Sequence, residues 1–121
     1  MHILLVEDDR DLAREMGEFF RRRKHTVTTC YSLAEAQAVL KNGNGSEAPQ
    51  AILCDGNLPD GNGVDFYRQA SSTFTGRWIL MSGAHDDHRL AALGDAAAHQ
   101  QLAIVDKPVS LRELARILKI A

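Results

Sequence analysis

Cysteine is scarce in this chain: the 121 residues hold only Cys30 and Cys54. Both close apolar runs and neither belongs to a metal-ligand spacing, so the pair reads as buried, reduced thiols rather than a disulfide framework. No apolar stretch approaches the roughly 20 residues that span a bilayer. The chain also opens without a basic segment and a long apolar one, because Met1-His2-Ile3 enters a strand at once. Charge of one sign is lacking as well. A formal net charge of −2 argues against nucleic-acid binding through bulk electrostatics. Internal repeats and low-complexity tracts are absent, so residues 1–121 read as one domain. What remains, 45% apolar and 25% charged, is the composition of an ordinary soluble protein, with the cytoplasm as its expected compartment and no membrane partner.

What is present is an alternation of short apolar runs with longer segments of helical period, the mark of βαβ units and a parallel sheet. The expected strands are His2–Val6, Thr26–Cys30, Ala51–Cys54, Arg77–Met81 and Leu102–Asp106. Between the first two, Leu12, Met16, Phe19 and Phe20 keep helical spacing, with Asp9 and Asp11 at the start and Arg21-Arg22-Arg23-Lys24 at the end, as the helix dipole favours. That basic cluster reads as a solvated helix end. Ser32-Leu33-Ala34-Glu35 and Ser110-Leu111-Arg112-Glu113 fit capping boxes opening the second and fifth helices. Residues 41–46 form a polar Gly/Asn loop, Asp55 through Gly63 is a turn-rich loop with the third helix following it to about Ser72, and the fourth stops near Gly94. Strands this apolar suit burial on both faces. The expected fold is an α/β doubly wound sheet of the flavodoxin-like type, strand order 2-1-3-4-5, with strands one and three adjacent at the switch point.

That order gathers chemistry at one edge. Glu7 and Asp8 close the first run, Asp55 closes the third, and Lys107, followed by Pro108, ends the fifth. Ligands of open α/β sheets bind at such carboxyl ends. Clustered carboxylates raise each other's pKa unless a cation lies among them, and Mg²⁺ is typically held by one or two carboxylates plus phosphate oxygens. The constellation therefore reads as a Mg²⁺-dependent phosphoryl site, with Lys107 as a second positive charge.

Val6-Glu7-Asp8-Asp9, Asp55-Gly56-Asn57-Leu58-Pro59-Asp60-Gly61-Asn62-Gly63, Met81-Ser82-Gly83 and Asp106-Lys107-Pro108, in this order at strand ends, resemble the receiver domain of bacterial two-component response regulators. The likeness covers essentially the whole chain. It implies that Asp55 accepts a phosphoryl group from a sensor histidine kinase or phosphotransfer protein, as an acyl phosphate. It implies Mg²⁺ held by Asp8, by Glu7 directly or through water, by Asp55 and by the backbone carbonyl of Asn57. Lys107 and the Ser82 hydroxyl would contact phosphoryl oxygens, Gly83 would leave room for the group, and the Lys107–Pro108 bond would be cis. Such a domain is a switch, not a turnover enzyme. Its homodimer or output contacts would use the face of the fourth helix, fifth strand and fifth helix.

Two departures fall on that face. The family commonly has an aromatic where this chain has Ile104, and often another where it has Val109. The stretch from Gly94 to Gln101 also looks longer than usual. The expectation is that a signal leaves through Ser82 and a remodelled fourth-helix region, and that small Ala84, beside the path of attacking water, permits no exceptionally long-lived phosphoryl state. Other readings are a phosphorylation-independent interaction domain and a small Mg²⁺-dependent phosphohydrolase using Asp60 or Asp9 as a second acid. A flavin site is disfavoured by the acidic loop after strand one, and a zinc site at His85 and His88 by the lack of a third ligand.

Overall fold

In a computed structural model of the protein, residues 1–42, 48–83 and 102–119 are described. Five strands form one parallel sheet: β1 (His2–Val6), β2 (Thr26–Cys30), β3 (Ala51–Asp55), β6 (Arg77–Ser82) and β7 (Leu102–Asp106), in the order β2-β1-β3-β6-β7. This is the expected order once the two-residue strands β4 (Asn57–Leu58) and β5 (Gly61–Asn62), an antiparallel ribbon after β3, are counted. The helices are α1 (Arg10–Arg22), α2 (Leu33–Asn42), α3 (Gly63–Ala70) and α4 (Leu111–Ile117), the last being the fifth expected from sequence. The fourth expected helix, the residues up to Gln101 and most of the 41–46 loop lie outside the described residues.

Period-two alternation in buried strands divides the core. Leu4, Val6, Ile52, Cys54, Trp78, Leu80 and Leu102 face one way, toward Ala36 of α2 and Phe66 of α3. Ile3, Leu5, Leu53, Ile79, Met81 and Val105 face the other, toward Met16 and Phe20 of α1 and Leu114 of α4. Both faces are therefore dry, as the near-continuous apolar strands require. Trp78 anchors the first layer, with Phe66, Tyr67 and Phe74 in edge-on contact at centroid distances of 5.4, 5.2 and 5.7 Å.

Helix starts are fixed by side-chain oxygens that accept from the first amides, which have no partner inside the helix. Asp9 caps α1 by accepting from the N–H groups of Asp11 and Leu12. Ser32 accepts from Glu35 N–H at 3.3 Å, while the Glu35 carboxylate turns back to Tyr31 N–H at 2.7 Å, one residue earlier than a standard box. Ser110 caps α4 through Glu113 N–H. The Glu113 side chain pairs with Arg116 at 3.7 Å.

Candidate functional site

Register fixes where the acidic loops emerge. Val6 lies opposite Cys54, Asp55 opposite Met81, and Ser82 opposite Asp106, so β1, β3, β6 and β7 all end within about a residue of one level. Asp55 and Ser82, placed by sequence just past their strands, are ladder residues, because Gly56 N–H still donates to Met81 O and Lys107 N–H to Ser82 O. Glu7, Asp55 and Ser82 are the buried polar residues among those described.

The carboxylates meet there. One oxygen from each of Glu7, Asp8 and Asp55 lies within 4.8 Å of the others. Lys107 reaches in from the end of β7, its Nζ 2.9 Å from Asp55 Oδ2 and 3.3 Å from Glu7 Oε1. Asp55 Oδ1 accepts from Asn57 N–H at 3.2 Å, so both carboxylate oxygens have a donor and the carboxylate is held in one orientation. Glu7 Oε2 accepts from Asp9 N–H. Asp8 is exposed.

One ammonium does not balance these acids. Burial, then the hydrogen bond and charge of Asp55, push Glu7 up to about 7, despite the opposing pull of Lys107. Burial works to lower the Lys107 pKa, but its bonds to Asp55 and Glu7 outweigh this and raise it, so it stays an ammonium. The donor set fits Mg²⁺: all ligands are hard oxygens, two of them are buried, and the excess negative charge calls for a second cation.

The loop after β3 is braced from below and from the side. Gly63 packs so tightly that a Cβ there would stand 2.4 Å from Asp55 O, and Gly63 N–H donates to Gly56 O. Asp60 accepts from Leu33 N–H (2.9 Å) and Ala34 N–H (3.0 Å) at the start of α2, which holds its carboxyl below the usual carboxylate range. Sequence reasoning missed this role. Its one available signal is that the Ser32 box leaves the first two amides of α2 without acceptors.

The remaining expectations sort plainly. The Lys107–Pro108 bond is cis. Among the described residues, a Cβ on Gly83 would meet nothing within 4 Å. Ile104 is half-buried and packs against the Trp78 and Leu80 layer; Val109 packs against the opposite layer. Asp9 serves as a helix cap. The Arg21–Lys24 cluster does not act as a unit: Arg21 donates to Val27 O, Arg22 pairs with Glu18, and Arg23 stacks on Phe19. Cys30 and Cys54 are buried, and burial first of all raises both thiol pKa values, Cys30 to about 11. Ala84, His85 and His88 lie outside the described residues. Among the described residues no helix is long and apolar enough to cross a membrane.

The profile described as "Response regulator receiver domain" matches residues 3–119. The chain is 32% identical over 114 residues to the TorCAD operon transcriptional regulatory protein TorR of Escherichia coli K12, a match covering 93% of this chain and 46% of that protein. The chain thus spans about half the length of the curated relatives it matches. The non-phosphorylated HemR receiver domain from Leptospira biflexa superimposes with a TM-score of 0.70 at 27% identity, over 99% of this chain and 95% of that one. A response regulator receiver domain protein from Clostridium thermocellum gives a TM-score of 0.80 at 18% identity, over 98% and 90%, which shows the shared fold.

Proposed function

Because the chain belongs to the response regulator receiver domain family, a family of two-component signalling switches, we propose that Asp55 is its phosphoacceptor. In this reading Asp55 takes a phosphoryl group from a phosphohistidine of a sensor kinase or phosphotransfer protein. The O–P bond to the Asp55 carboxylate forms as the P–N bond breaks, and the imidazole leaves. The observation that carries the reading is the ammonium of Lys107 set 2.9 Å from Asp55 and 3.3 Å from Glu7.

Each residue has a separable task. The Asn57 N–H and Lys107 hold the Asp55 carboxylate in place before transfer, which is the positioning that phosphoryl transfer depends on. Lys107 remains cationic at all relevant pH and faces the phosphoryl oxygens once the group is attached. Ser82, at the end of the adjoining strand, supplies a hydroxyl to the same group. Glu7, Asp8, Asp55 and the Asn57 carbonyl would hold Mg²⁺, which when bound supplies positive charge opposite the phosphoryl oxygens. Gly83 leaves the approach open.

The phosphohydrolase alternative is weakened by the placement of its nominated acids, since Asp60 and Asp9 are both engaged as helix caps. The proposal extends to a cytoplasmic setting and to an output or homodimer partner on the β7–α4 side. Ile104, packed among apolar neighbours, makes a signal through Ser82 and the fourth-helix region the preferred exit over a rotating aromatic. Intact mass after acetyl phosphate and Mg²⁺ tests the core claim. One phosphate adduct, lost in Asp55→Asn, is expected. No adduct would instead favour a phosphorylation-independent interaction domain.

A further inference from the structure

On the side of α1 away from α4, three arginines face the open edge of the sheet. At about 100° per residue, Arg14 and Arg21 fall within about 40° of Arg10 around the helix, so the three arginines leave the helix along one stripe about 16 Å long. Gly17 lies in the same stripe, where a Cβ would stand 3.0 Å from Arg21 Nη1; its missing side chain leaves room for that guanidinium. The opposite wall is Thr29 and Tyr31, at and just past the end of β2. Together with Ala13 these residues line an open cavity of about 370 Å³. No acid lines it. Asp11 sits at its rim, bonded to Arg14 at 3.0 Å, with both side chains largely exposed. Glu35 is engaged by Tyr31 N–H and the Ser32 hydroxyl.

The wall is a strand edge. β2 pairs only with β1 among the described residues. Thr26 N–H donates to Met1 O and Cys30 O accepts from Glu7 N–H, so residues 26, 28 and 30 direct their backbone groups inward. The alternation of a strand then directs those of Val27 and Thr29 outward. Val27 O is already capped by Arg21 at 3.3 Å. Arg10 stacks on the Tyr31 ring, 4.0 Å from its centroid, which closes the other end. Thr29 is left as the free stretch of edge, directly beneath the arginines.

We propose that this groove binds an acidic, extended peptide segment of a partner protein. The segment pairs through its backbone with Thr29, and its carboxylates meet Arg10, Arg14 and Arg21. Two features select a peptide over a small anion. The cavity opens to solvent, and its Thr29 wall offers a backbone donor and acceptor that a phosphate would leave half used. Adding a strand to an exposed sheet edge is a recurrent mode of peptide recognition, and guanidiniums bind carboxylates in bidentate fashion. The exposed Arg14–Asp11 pair contributes little by itself and yields to such a ligand. The site is independent of the phosphoacceptor reading.

The test is fluorescence anisotropy of the full chain with a labelled Glu-Thr-Glu-Val-Glu peptide and its Lys-for-Glu counterpart, in low salt. The Glu peptide is expected to bind and the Lys peptide not. The Arg14→Glu/Arg21→Glu double variant should lose about tenfold or more in affinity, equivalent to about 1.4 kcal/mol, and gain affinity for the Lys peptide. Amide dispersion in NMR spectra checks that the variant is folded. The Thr29 amide should shift and become protected from hydrogen exchange when the Glu peptide is bound. Equal binding of both peptides, or unchanged affinity in a folded double variant, would overturn the proposal. So would inorganic triphosphate matching the Glu peptide with the Thr29 amide undisturbed, since that describes an anion site only.

Discussion

Gly63 lies directly against Asp55: a β-carbon on it would stand 2.4 Å from the Asp55 carbonyl oxygen and 3.2 Å from Cys54 Sγ. The backbone that carries the carboxylate therefore rests on a residue without a side chain. Gly63→Ala must move that backbone, at a cost of about 1–3 kcal/mol for an overpacked interior position, and should slow Asp55 labelling by acetyl phosphate. Gly83→Ala is the contrast, since among the described residues it meets nothing within 4 Å. Urea unfolding of the two variants should show a large shift for the first and a small one for the second.

Lys107→Ala would leave Glu7 and Asp55 buried without their cation. The expected result is a loss of about 1–3 kcal/mol in metal-free protein at pH 8, below the range for a fully buried pair because Lys107 is partly exposed. Added Mg²⁺ should recover part of it. Phosphate incorporation should fall even in the refolded, metal-saturated variant. Urea melts with and without Mg²⁺, beside intact mass, separate the two effects.

Glu7 makes metal binding depend on pH. Its pKa is raised to about 7 when no metal is present, so below that value an ion must displace a proton. Affinity for Mg²⁺ should fall about tenfold from pH 8 to pH 6, read by calorimetry. The sign for stability is opposite. A carboxyl whose folded pKa lies above its unfolded value contributes most below about 4.5, and this contribution is lost as pH rises through about 7. Metal-free protein should therefore melt lower at pH 8 than at pH 5.5. Saturating Mg²⁺ should flatten that slope.

Asp60 titrates the other way. Two amides of α2 hold its pKa below the usual carboxylate value, so its contribution is present above about pH 4 and is lost as pH falls through the folded value. Asp60→Ala should lower the melting temperature at pH 7. The gap from wild type should close as pH falls below the usual carboxylate range, as thermal melts across acidic pH will show.

The sheet was legible because its central strands are buried on both faces: runs such as Ile3–Val6 and Ala51–Cys54 leave no polar face to blur their ends. Strand order followed from that reading and put Glu7, Asp8, Asp55 and Lys107 at one edge before any coordinate did. Local capping by Ser32 and Ser110 was equally readable, since both partners lie within four residues. Asp60 was not. It looked like one turn former among several, and its partners lie 26 and 27 residues away. The arginine groove was hidden for another reason. Arg21 was read with its neighbours as one basic run, whereas the helix deals those residues to different faces and groups Arg21 with Arg10 and Arg14 seven and more positions upstream.

Cys54 shares its position with the acidic centre, yet it is sealed from solvent, with Sγ 3.3 Å from Asp55 O and its thiol kept protonated by burial. Alkylating reagents can reach it only when the sheet itself comes apart. Maleimide uptake at Cys54 is thus a clock for global opening, and metal or phosphoryl ligands that bind the native state should slow that clock in proportion to their occupancy.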